Sequence, residues 1–597
     1  MCVMNTKILI ATAALVASIS FTAGAAQTTV SDFAGLSDAI SAASNGDEII
    51  LKAVTYEVTT KIKIAKSVTI TGAGKGLTIL DGGSTAEPAR STAVFSVEAP
   101  NVKISGLTIQ NAADTSSDAP VHISNSAGAL PGFEIRDCEF INCHGKNSGG
   151  LDTPANAAVG ENGIEARANY PIITGCDFTR CGSHGDDTVT QGGAVCGSFW
   201  VENSTFNACT RKAWSVVMLH SSSVVSNCVF SNMGMAELPT STGIICMAKP
   251  NGRAYLLVEG CVFASIGEGP LVGKANSVID RCIVSNCYAT ARAKYDALIA
   301  SGAEADAISA VNGILTCPWV NPSGIPECRN TLFVDNKLPI QLEGSDAYVN
   351  CTFVNNVGGL FCKADPEQAP ITASLENCVF WGNTEWKCEG AHIEKGGYGI
   401  TYSANGLPAG VQIANCVFEG ASENAGLMTV VNVDTTGVSS NLSCRADAEG
   451  IKFNDYANGD FRPATNSVLV TNGVVLAWMN GATDLAGRPR LSQNLVDIGC
   501  YQSDPDAEGP VDPTDPLPPG YKPSISGFDN GSDGIKITID NAIVGHTYGY
   551  KKSTTLEGLK NAQPIPMENP AATAGELLFT IARDPNEPTC FYQIVVE

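Results

Sequence analysis

The sequence predicts an all-β solenoid, in which short strands are wound into successive stacked coils. Three observations support this fold class. The chain has 597 residues, far more than one globular core can hold, and a phrase of the form Asn-Cys-x-Phe recurs along most of it. Glycine is abundant (60 residues) while charged residues make up only 16%. This composition is typical of many short strands joined by tight turns.

The recurring phrase has the spacing of a solenoid. Its copies are centred on Gly106, Cys138, Cys176, Ser204, Cys228, Cys261, Cys282, Thr331, Cys351, Cys378 and Cys416. Successive copies lie 20 to 49 residues apart, as expected when loops are inserted into some coils. Apolar residues alternate within a copy, as at Cys378 and Phe380, which predicts a strand. One short strand cannot bury its inner face alone, so the copies are expected to stack.

The repeated cysteines are predicted to be structural. We expect the Cys and the Phe two residues later to point inward and stack from coil to coil, about 4.8 Å apart. Three residues after that Phe, Cys or Asn recurs and predicts a stack of turns. Disulfides are the alternative for an exported chain with 22 cysteines. The disulfide candidate is Cys317 with Cys328, because CPWVNPSGIPEC closes a proline-rich loop outside the repeat register.

Residues 1–26 are predicted to be a secretory signal peptide. Lys7 precedes an apolar stretch from Ile8 to Phe21, and small residues follow near Ala25. A membrane anchor is the competing interpretation, but this stretch is short and interrupted, and no later run of about 18 apolar residues exists. We expect a secreted or surface-bound mature chain without a membrane-spanning segment. The net charge of -24 argues against nucleic acid and anionic lipid as partners.

Residues 27–83 are expected to form an N-terminal cap and the first coils. Ser31 is the predicted N-cap of an amphipathic helix that ends before a strand at Glu48 to Leu51. The apolar residues at helical spacing are Phe33, Leu36 and Ile40. Such a helix would cover the open end of the solenoid.

Two stretches carry a specific resemblance. The helix followed by NGDEIIL, TYEV and SVTITGAGKGLTILDGG is similar to the start of right-handed parallel β-helix proteins of the pectin-lyase-like superfamily. The stretch QGGAVCGSFWVENSTFNAC (191–209) resembles the repeat of polymorphic outer-membrane proteins, with Cys209 in place of the repeat's asparagine. The resemblance implies a right-handed parallel β-helix over residues 27–503, and it brings polysaccharide lyases and hydrolases into consideration.

The far end of this region resembles the closing segment of bacterial surface β-helix proteins, the choice-of-anchor Q region. The resemblance covers residues 459–473 and 483–502, and it implies a closing coil at 459–502 and attachment to the cell surface. The matching residues are Asp484, Gly487, Arg490, Asp497, Ile498, Gly499 and Tyr501. Cys500 and Gln502 depart from the family pattern.

A linker and a small domain are predicted at the C-terminus. Residues 504–523 carry seven prolines and five acids, which indicates a stiff, solvated linker. Beyond it, isoleucines alternate with polar residues in GIKITID, and the chain closes on CFYQIVVE. Residues 524–597 are therefore expected to form a small β-sandwich.

Titratable residues cluster in and after the long insertion that follows Cys143. They are Asp152, Glu161, Glu165, Arg167, Arg180, His184, Asp186 and Asp187. A polyuronide lyase needs a base for the proton beside the carboxylate, and calcium or a cationic side chain to neutralise that carboxylate. The catalytic candidates are Arg180, His184, Asp186 and Asp187, with a calcium site at the two aspartates. A glycine-rich polar turn in solvent explains the same residues without chemistry.

Other candidates are scattered along the chain. The remaining five histidines, including His122, lack metal-ligand spacing. Stacking on sugar rings is one role for three tryptophans, and packing beneath a loop is the other. They are Trp319, Trp381 and Trp386. The alanine-rich stretch ATARAKYDALIASGAEADAISAV predicts a helical outgrowth, suited to partner recognition or simply tolerated as an insertion.

The sequence leaves three functional hypotheses open. The first is an exported or cell-surface binding, adhesion or structural module directed at glycans, monomeric and without a required cofactor, calcium being optional. The second is a polysaccharide-degrading enzyme, a polyuronide lyase before a glycoside hydrolase. The third is a structural surface spike with no ligand.

Overall fold

The computed structural model describes most of the solenoid and parts of the C-terminal region. The described residues are 25–83, 93–114, 119–123, 130–145, 148, 150–153, 164–183, 192–209, 215–219, 222–233, 242–246, 255–267, 271–273, 276–302, 327–338, 340–342, 347–362, 373–384, 400–402, 412–419, 442–444, 451–503, 525–531, 534–542, 548–553, 562–563, 565–566, 575–581 and 591–596.

Three long parallel sheets, here called A, B and C, run side by side along the chain. Sheets A and B each contain 14 strands and sheet C contains eight. Neighbouring strands in each sheet are parallel, with partners one coil apart in sequence. The chain passes from A to B to C and back to A, and each such circuit is one coil of a right-handed parallel β-helix. The predicted fold class is confirmed.

The strands of sheet A are Gln27–Val30, Glu48–Leu51, Thr69–Thr71, Lys103–Ser105, Glu134–Arg136, Ile172–Thr174, Trp200–Glu202, Ser223–Ser226, Tyr255–Glu259, Asn276–Asp280, Glu327–Arg329, Ala347–Val349, Ser374–Glu376 and Gln412–Ala414. Those of sheet B are Thr55–Glu57, Ile79–Asp81, Thr108–Gln110, Glu139–Ile141, Asp177–Thr179, Thr205–Asn207, Val229–Met233, Val262–Ile266, Ile283–Ser285, Leu332–Val334, Thr352–Val354, Val379–Trp381, Val417–Glu419 and Leu442–Cys444. Those of sheet C are Ile62–Ile64, Phe95–Val97, Val121–Ile123, Leu151–Asp152, Gly192–Gly197, Ser215–Leu219, Thr242–Cys246 and Leu271–Gly273.

Shorter elements complete the described chain. Two small parallel sheets comprise Ala113–Asp114, His144–Gly145 and Gly182–Ser183, and Ile340–Leu342, Leu360–Cys362 and Ile400–Tyr402. An antiparallel pair is formed by Phe453–Asp455 and Asp460–Pro463. The α-helices are Phe33–Ala42 and Ala289–Ala300, and the 3-10 helices are Arg167–Asn169, Tyr456–Asn458 and Ala477–Met479.

The turn from sheet A to sheet B is a tight corner that fixes the repeat. From Ser105 onward it consists of two residues, of which the first has φ between 49° and 67°. Glycine and asparagine adopt this left-handed conformation most readily, which explains why the phrase begins with one of them in most coils. These first residues are Gly106, Asp137, Gly175, Asn203, Asn227, Gly260, Arg281, Asn330, Asn350, Asn377 and Asn415.

The repeated cysteine is the second residue of this turn, although the sequence pattern placed it within a strand. Its thiol is buried and contacts backbone carbonyls: Cys378 Sγ lies 3.4 Å from Glu376 O and 3.3 Å from Tyr348 O. Ser204 makes the first contact with its hydroxyl, at 2.8 Å from Glu202 O. A small side chain with a donor therefore fits this position. In the earliest copy the position belongs to Leu107, one residue beyond the expected Gly106.

The phenylalanines form the predicted ladder inside the helix. Ring centroids of Phe206 lie 4.9 Å from Phe178 and 4.7 Å from Phe230, with nearly parallel planes. A second run joins Phe353 to Phe333 and Phe380, both at 4.6 Å. The spacing is that of adjacent parallel strands, so in-register pairing stacks the rings directly.

The second predicted stack, three residues after each Phe, is also confirmed. Its asparagines are buried and bonded to one another: Asn336 Nδ2 donates to Asn356 Oδ1 at 2.8 Å, and Asn356 Nδ2 donates to Asn383 Oδ1 at 3.1 Å. Each buried amide therefore has a partner on the next coil, as burial of a polar group requires. The cysteines at this position are Cys143, Cys181, Cys209 and Cys287, all buried.

The N-terminal helix lies where it was expected, but a different residue caps it. Asp32 is the N-cap, and its side chain accepts a hydrogen bond from Gly35 N at 2.8 Å. Ser31, the predicted cap, lies one residue too early, because the helix starts at Phe33. Its three predicted apolar residues are buried in the same core as the first coils, and its role as an end cap stays a prediction.

Residues 451–503 lie along the side of the last coils, and we call them the lateral segment. The resemblance implied a closing coil at 459–502, but these residues add no strand to sheets A, B or C. They cover apolar side chains on the outer face of sheet B, where Val379 and Val417 pack against Ile498. The closing-coil interpretation is therefore wrong, because apolar surface on the side of the helix binds the segment there.

Turn asparagines hold the lateral segment in place. Asn350 Nδ2 donates to Asp497 O at 2.9 Å, and Asn415 Nδ2 donates to Asn472 O at 2.7 Å. Asn377 donates to Val474 O at 2.9 Å and accepts from Val474 N at 2.8 Å. The left-handed turns thus direct side chains outward as a row of backbone-binding amides.

Residues that carried the resemblance form the internal framework of this segment. Arg490 is fully buried and donates to Asp497 O and Gly499 O, both at 2.6 Å. The Asp484 carboxylate accepts from Arg488 N at 2.8 Å and Gln502 N at 2.6 Å. Gly499 has φ +98°, and a Cβ there would lie 2.7 Å from Thr352 Oγ1, so only glycine allows this close approach.

The remaining predictions concern both ends and the outgrowth. Residues 1–24 and 504–524 lie outside the described residues, so the signal peptide and the linker stay predictions. The C-terminal region contains two three-stranded antiparallel sheets, and their packing as a sandwich stays a prediction. Their strands are Ile525–Gly531, Gly534–Ala542, Gly575–Ile581, Tyr548–Ser553, Ile565–Pro566 and Phe591–Val596.

The predicted helical outgrowth is present at Ala289–Ala300. Among the described residues, no helix combines the length and apolarity needed to cross a membrane.

Replacing Asn377 with glycine is expected to loosen the lateral segment. Glycine keeps the left-handed turn but removes two hydrogen bonds to Val474, worth about 1 kcal/mol each, together with the side-chain hydrogen bonds that Asn377 makes to Asn350 and Asn415. Local opening should therefore rise roughly tenfold or more, seen as faster hydrogen exchange at the Ile498 amide. Asn227→Gly is the matched control, since Asn227 occupies the same turn position and its described contacts do not reach this segment. Equal exchange in both variants would contradict the assignment.

Native alkylation should leave the ladder cysteines unmodified. Cys261 and Cys282 are buried, so a reagent cannot reach their thiols in the folded chain. Burial also raises the pKa of both thiols, so the reactive thiolate does not form at pH 8. Iodoacetamide at pH 8 is expected to label these cysteines only after denaturant is added. Labelling of Cys261 in the native protein would show that the ladder opens.

The same samples also test the predicted disulfide between Cys317 and Cys328. Peptide mapping without a reducing agent would detect the two linked peptides.

Candidate functional site

Sheet C is the side of the helix where long insertions enter and leave. The A-to-B turns are two residues long in most coils, whereas the connections on either side of sheet C vary, from two residues between Gly197 and Trp200 to much longer stretches. One runs from Asp152 to Ile172 and another from Ser183 to Gly192. Variable loops on a rigid solenoid are the usual place for binding surfaces. Sheet C is therefore the face on which a site is to be sought.

A histidine and an aspartate form a hydrogen-bonded pair on this sheet. His122 and Asp152 are register partners on adjacent strands, and His122 Nδ1 lies 2.7 Å from Asp152 Oδ1. The Asp152 side chain is 2% exposed and that of His122 is 18% exposed. Because a carboxylate only accepts, Nδ1 is the donor, and this hydrogen bond fixes the orientation of the ring.

Further polar residues occupy the same register row. Ser96 pairs with His122 on the side opposite Asp152, and Lys63 pairs with Ser96 one strand further. Cys196 pairs with Asp152 and is buried. Lys63 Nζ lies 2.6 Å from Glu98 Oε2. Adjacent strands thus place a cation, a hydroxyl, an imidazole and a carboxylate in sequence along one line.

The structure separates the cluster that the sequence suggested. Asp152 belongs to the pair on sheet C, whereas Arg180 is exposed, with φ 54°, in the turn after sheet B. Arg167 lies beside sheet A, where its NH2 is 2.5 Å from Glu202 Oε1. His184, Asp186 and Asp187, like Glu161, lie outside the described residues. Their catalytic and calcium-binding roles stay predictions.

Arg167 and Glu202 form a polar site with Trp200 on sheet A. Trp200 Nε1 donates to Glu202 Oε2 at 2.8 Å, and its ring lies 5.8 Å from that of Tyr170. Burial raises the pKa of Glu202, but hydrogen bonds from Arg167 and Trp200 lower it more, so the net shift is downward. The carboxylate is thus fully committed to internal partners. We interpret this group as an anchor for residues 164–170.

A second charged group fastens the lateral segment to sheet A. Arg281 NH1 donates to Thr483 Oγ1 at 2.8 Å, and the Arg329 guanidinium lies 4.7 Å from the Trp478 ring. Asp280 lies between the two arginines, and burial raises its pKa although Arg329 and Asn330 act to lower it. Both cations are used in holding the chain together.

The tryptophan and cysteine candidates have different outcomes. Trp381 is partly buried on the outer face of sheet B, with its ring 6.4 Å from that of Phe453, which favours packing over sugar contact. Trp319 and Trp386 lie outside the described residues, as does Cys317. Cys328 is buried within a sheet A strand, so its placement outside the repeat register was wrong. Its pairing with Cys317 stays a prediction.

Within the described part of the chain, no three His, Cys, Asp or Glu side chains converge on a metal position. Sequence reasoning missed His122 because its partner lies 30 residues away and only strand register brings the two together. The available signal was a polar residue flanked by two buried ones, Val121 and Ile123, which indicates an outward-facing strand position.

No protein-family model matches the chain, and no curated protein matches it. Several solved structures are similar in fold. The PL6 family alginate lyase AlyGC is 13% identical with a TM-score of 0.34, over 81% of this chain and 60% of its own. The PL6 family polysaccharide lyase Pedsa3628 from Pseudopedobacter saltans is 12% identical with a TM-score of 0.37, over 80% and 100%. The pectate lyase Pel9A is 10% identical with a TM-score of 0.35, over 81% and 97%. The chain thus spans less than two thirds of AlyGC.

Proposed function

We propose that this chain is an exported, glycan-directed β-helix protein that binds a polysaccharide along the outer face of sheet C. The observation that carries the proposal is the polar row Lys63, Ser96, His122 and Asp152, next to which the chain makes the long connection from Asp152 to Ile172. A rigid flat sheet suits an extended polymer, and convergent polar side chains suit sugar hydroxyls. Binding, adhesion or a structural role at a surface all use the same face.

Export and location belong to this proposal. Residues 1–26 act as the signal peptide, and the mature chain is secreted or held at the cell surface as a monomer. The lateral segment supports the surface role through its resemblance to anchoring regions. Its buried framework indicates a packing function, so attachment would require a separate group.

A polyuronide lyase is the second candidate, and the His122–Asp152 pair is the observation in its favour because it supplies a positioned base. Incubation with a panel of polyuronides and calcium, followed by ultraviolet absorbance, detects the unsaturated product. Product that disappears in His184→Ala or Asp187→Ala would establish the lyase with the sequence-predicted residues. A surface spike without ligand would instead show a melting temperature unchanged by any glycan or by calcium chelation.

Glycan retention should depend on the charge of sheet C. Lys63→Glu reverses the cation at one end of the polar row, and we expect at least about fivefold weaker retention of acidic glycans on an array. Lys103→Glu is the matched control, since Lys103 is also solvent-exposed but lies on sheet A. Both variants change the net charge by the same amount. Equal loss in both, or no retention by the wild type, would contradict binding on this face.

A further inference from the structure

We infer that Cys328 and Cys351 form a disulfide that links two neighbouring coils of the solenoid. Cys328 lies on sheet A and Cys351 in the following A-to-B turn, so this covalent modification site is separate from the face proposed for glycan binding. Cys328 can take only one partner, so this pairing and the Cys317–Cys328 pairing suggested by the sequence exclude each other. The proposed export enters only as the source of an oxidising environment.

The inward row of sheet A shows why Cys328 is exceptional. From Ile49 to Ile413, the residues at this register position are large and aliphatic or aromatic, except at Cys328. The row consists of Ile49, Ile70, Ile104, Ile135, Ile173, Val201, Val225, Val258, Ile279, Cys328, Tyr348, Leu375 and Ile413. A cysteine is smaller than its neighbours Ile279 and Tyr348, so packing of the core by itself does not explain it.

The turn of the next coil places a second thiol against Cys328. Cys351 Sγ lies 3.3 Å from Cys328 O and 3.9 Å from Cys328 Sγ. Cys378 makes the same contact with Tyr348 O, at 3.3 Å, but there the residue in the inward row is a tyrosine. The two sulfurs therefore meet because one residue departs from the pattern of the row. Rotation about the Cα–Cβ bonds can bring them to the bonding distance of about 2.0 Å.

Cysteines at equivalent turn positions are less suited to pair with one another. Cys351 and Cys378 stack on adjacent coils, so their Cβ atoms are expected to have the spacing of the strands, about 4.8 Å. A disulfide needs Cβ atoms roughly 3.5–4.5 Å apart. Cys328 and Cys351 occupy different positions in their coils, so strand spacing does not hold their Cβ atoms apart in this way. The geometry therefore favours the link to Cys328.

The linked coils follow the long insertion that contains the helix Ala289–Ala300. After this helix, the next strand of sheet A is Glu327–Arg329, which has only three residues and pairs with Asn276–Asp280 and Ala347–Val349. The two cysteines are 23 positions apart, so their bond closes about one coil. Such a bond stabilises the fold by restricting the unfolded chain. The disulfide thus fastens the strand at which the solenoid resumes.

The bond is expected to form while the chain folds. Cys351 is fully buried in the folded chain, and burial raises the pKa of its thiol, so attack by its thiolate is disfavoured after folding. The oxidant is an external disulfide. The Cys328 thiolate attacks one of its sulfurs and releases one thiol, and the Cys351 thiolate then attacks the Cys328 sulfur and releases the second. The two protein thiols lose two protons and two electrons, which the external disulfide takes up as it becomes two thiols.

The test maps the disulfides of the full-length protein after refolding in a buffer of oxidised and reduced glutathione. Free thiols are alkylated in denaturant, and the protein is digested with a glutamyl endopeptidase, which cuts after Glu327 and separates Cys328 from Cys317. We expect two linked peptides whose fragment ions place the bond between Cys328 and Cys351. Their mass should be lower by two hydrogens than that of the two reduced peptides together.

Three mapping results would overturn the inference. They are a bond from Cys328 to Cys317, a bond from Cys351 to Cys378, and alkylation of both Cys328 and Cys351. Mapping needs no glycan, so its result is independent of the test of the sheet C face. It also needs no variant, so a variant that fails to fold does not affect it.

Variants test whether the bond stabilises the fold. Cys328→Val restores the pattern of the inward row, and Cys351→Ser keeps a small donor in the turn, as Ser204 does. Cys378→Ser is the matched control, because Cys378 has the same turn position one coil later. We expect reduction followed by refolding to lower the melting temperature of the wild type and of Cys378→Ser by roughly 3 °C. Cys328→Val and Cys351→Ser should melt at the same temperature with and without reduction. Equal melting of oxidised and reduced wild type would contradict the stabilising role.

Discussion

In-register stacking of parallel coils is the constraint on which this molecule depends. Each coil repeats the same sharp corner, a left-handed residue followed by a small buried one, as at Asn377 and Cys378. The corner fixes which side chains point inward, so Phe353 meets Phe380 at 4.6 Å, close to the spacing of adjacent strands. A shift of one residue would expel every ring from the core, and the ladder thus enforces the register that also arranges the outer faces.

The same corner has a second use on the outer surface. A left-handed asparagine leaves its amide free to bind backbone beyond the helix, and Asn350 and Asn415 use this to hold the lateral segment. Early coils present polar residues on the outer face of sheet B, such as Glu139 and Asp177, whereas later coils present Val379 and Val417. The lateral segment therefore covers the apolar part of the outer face of sheet B, because strands that are apolar on both faces must be buried on both.

Strand register also assembles the candidate site. His122 and Asp152 are 30 residues apart in sequence, yet the parallel pairing of their strands brings Nδ1 and Oδ1 to 2.7 Å. A solenoid can build such a site with one residue per coil, because each circuit returns the chain to the same line. Long connections around sheet C then vary without disturbing the core, so recognition and stability are handled by different parts of each coil.

The sequence by itself determined the solenoid, the inward Cys and Phe positions and the second stack of Cys and Asn, because these follow from local periodicity repeated at coil spacing. It also located the N-terminal helix, missing only that Asp32 is the cap. The tertiary structure decided the place of the lateral segment and the partner of His122. Both depend on contacts between distant coils: Gly499 fits against Thr352, and Asp152 reaches His122, only after the helix has wound. Local sequence patterns predict which face of a strand a side chain lies on, and the tertiary structure determines which residues it contacts.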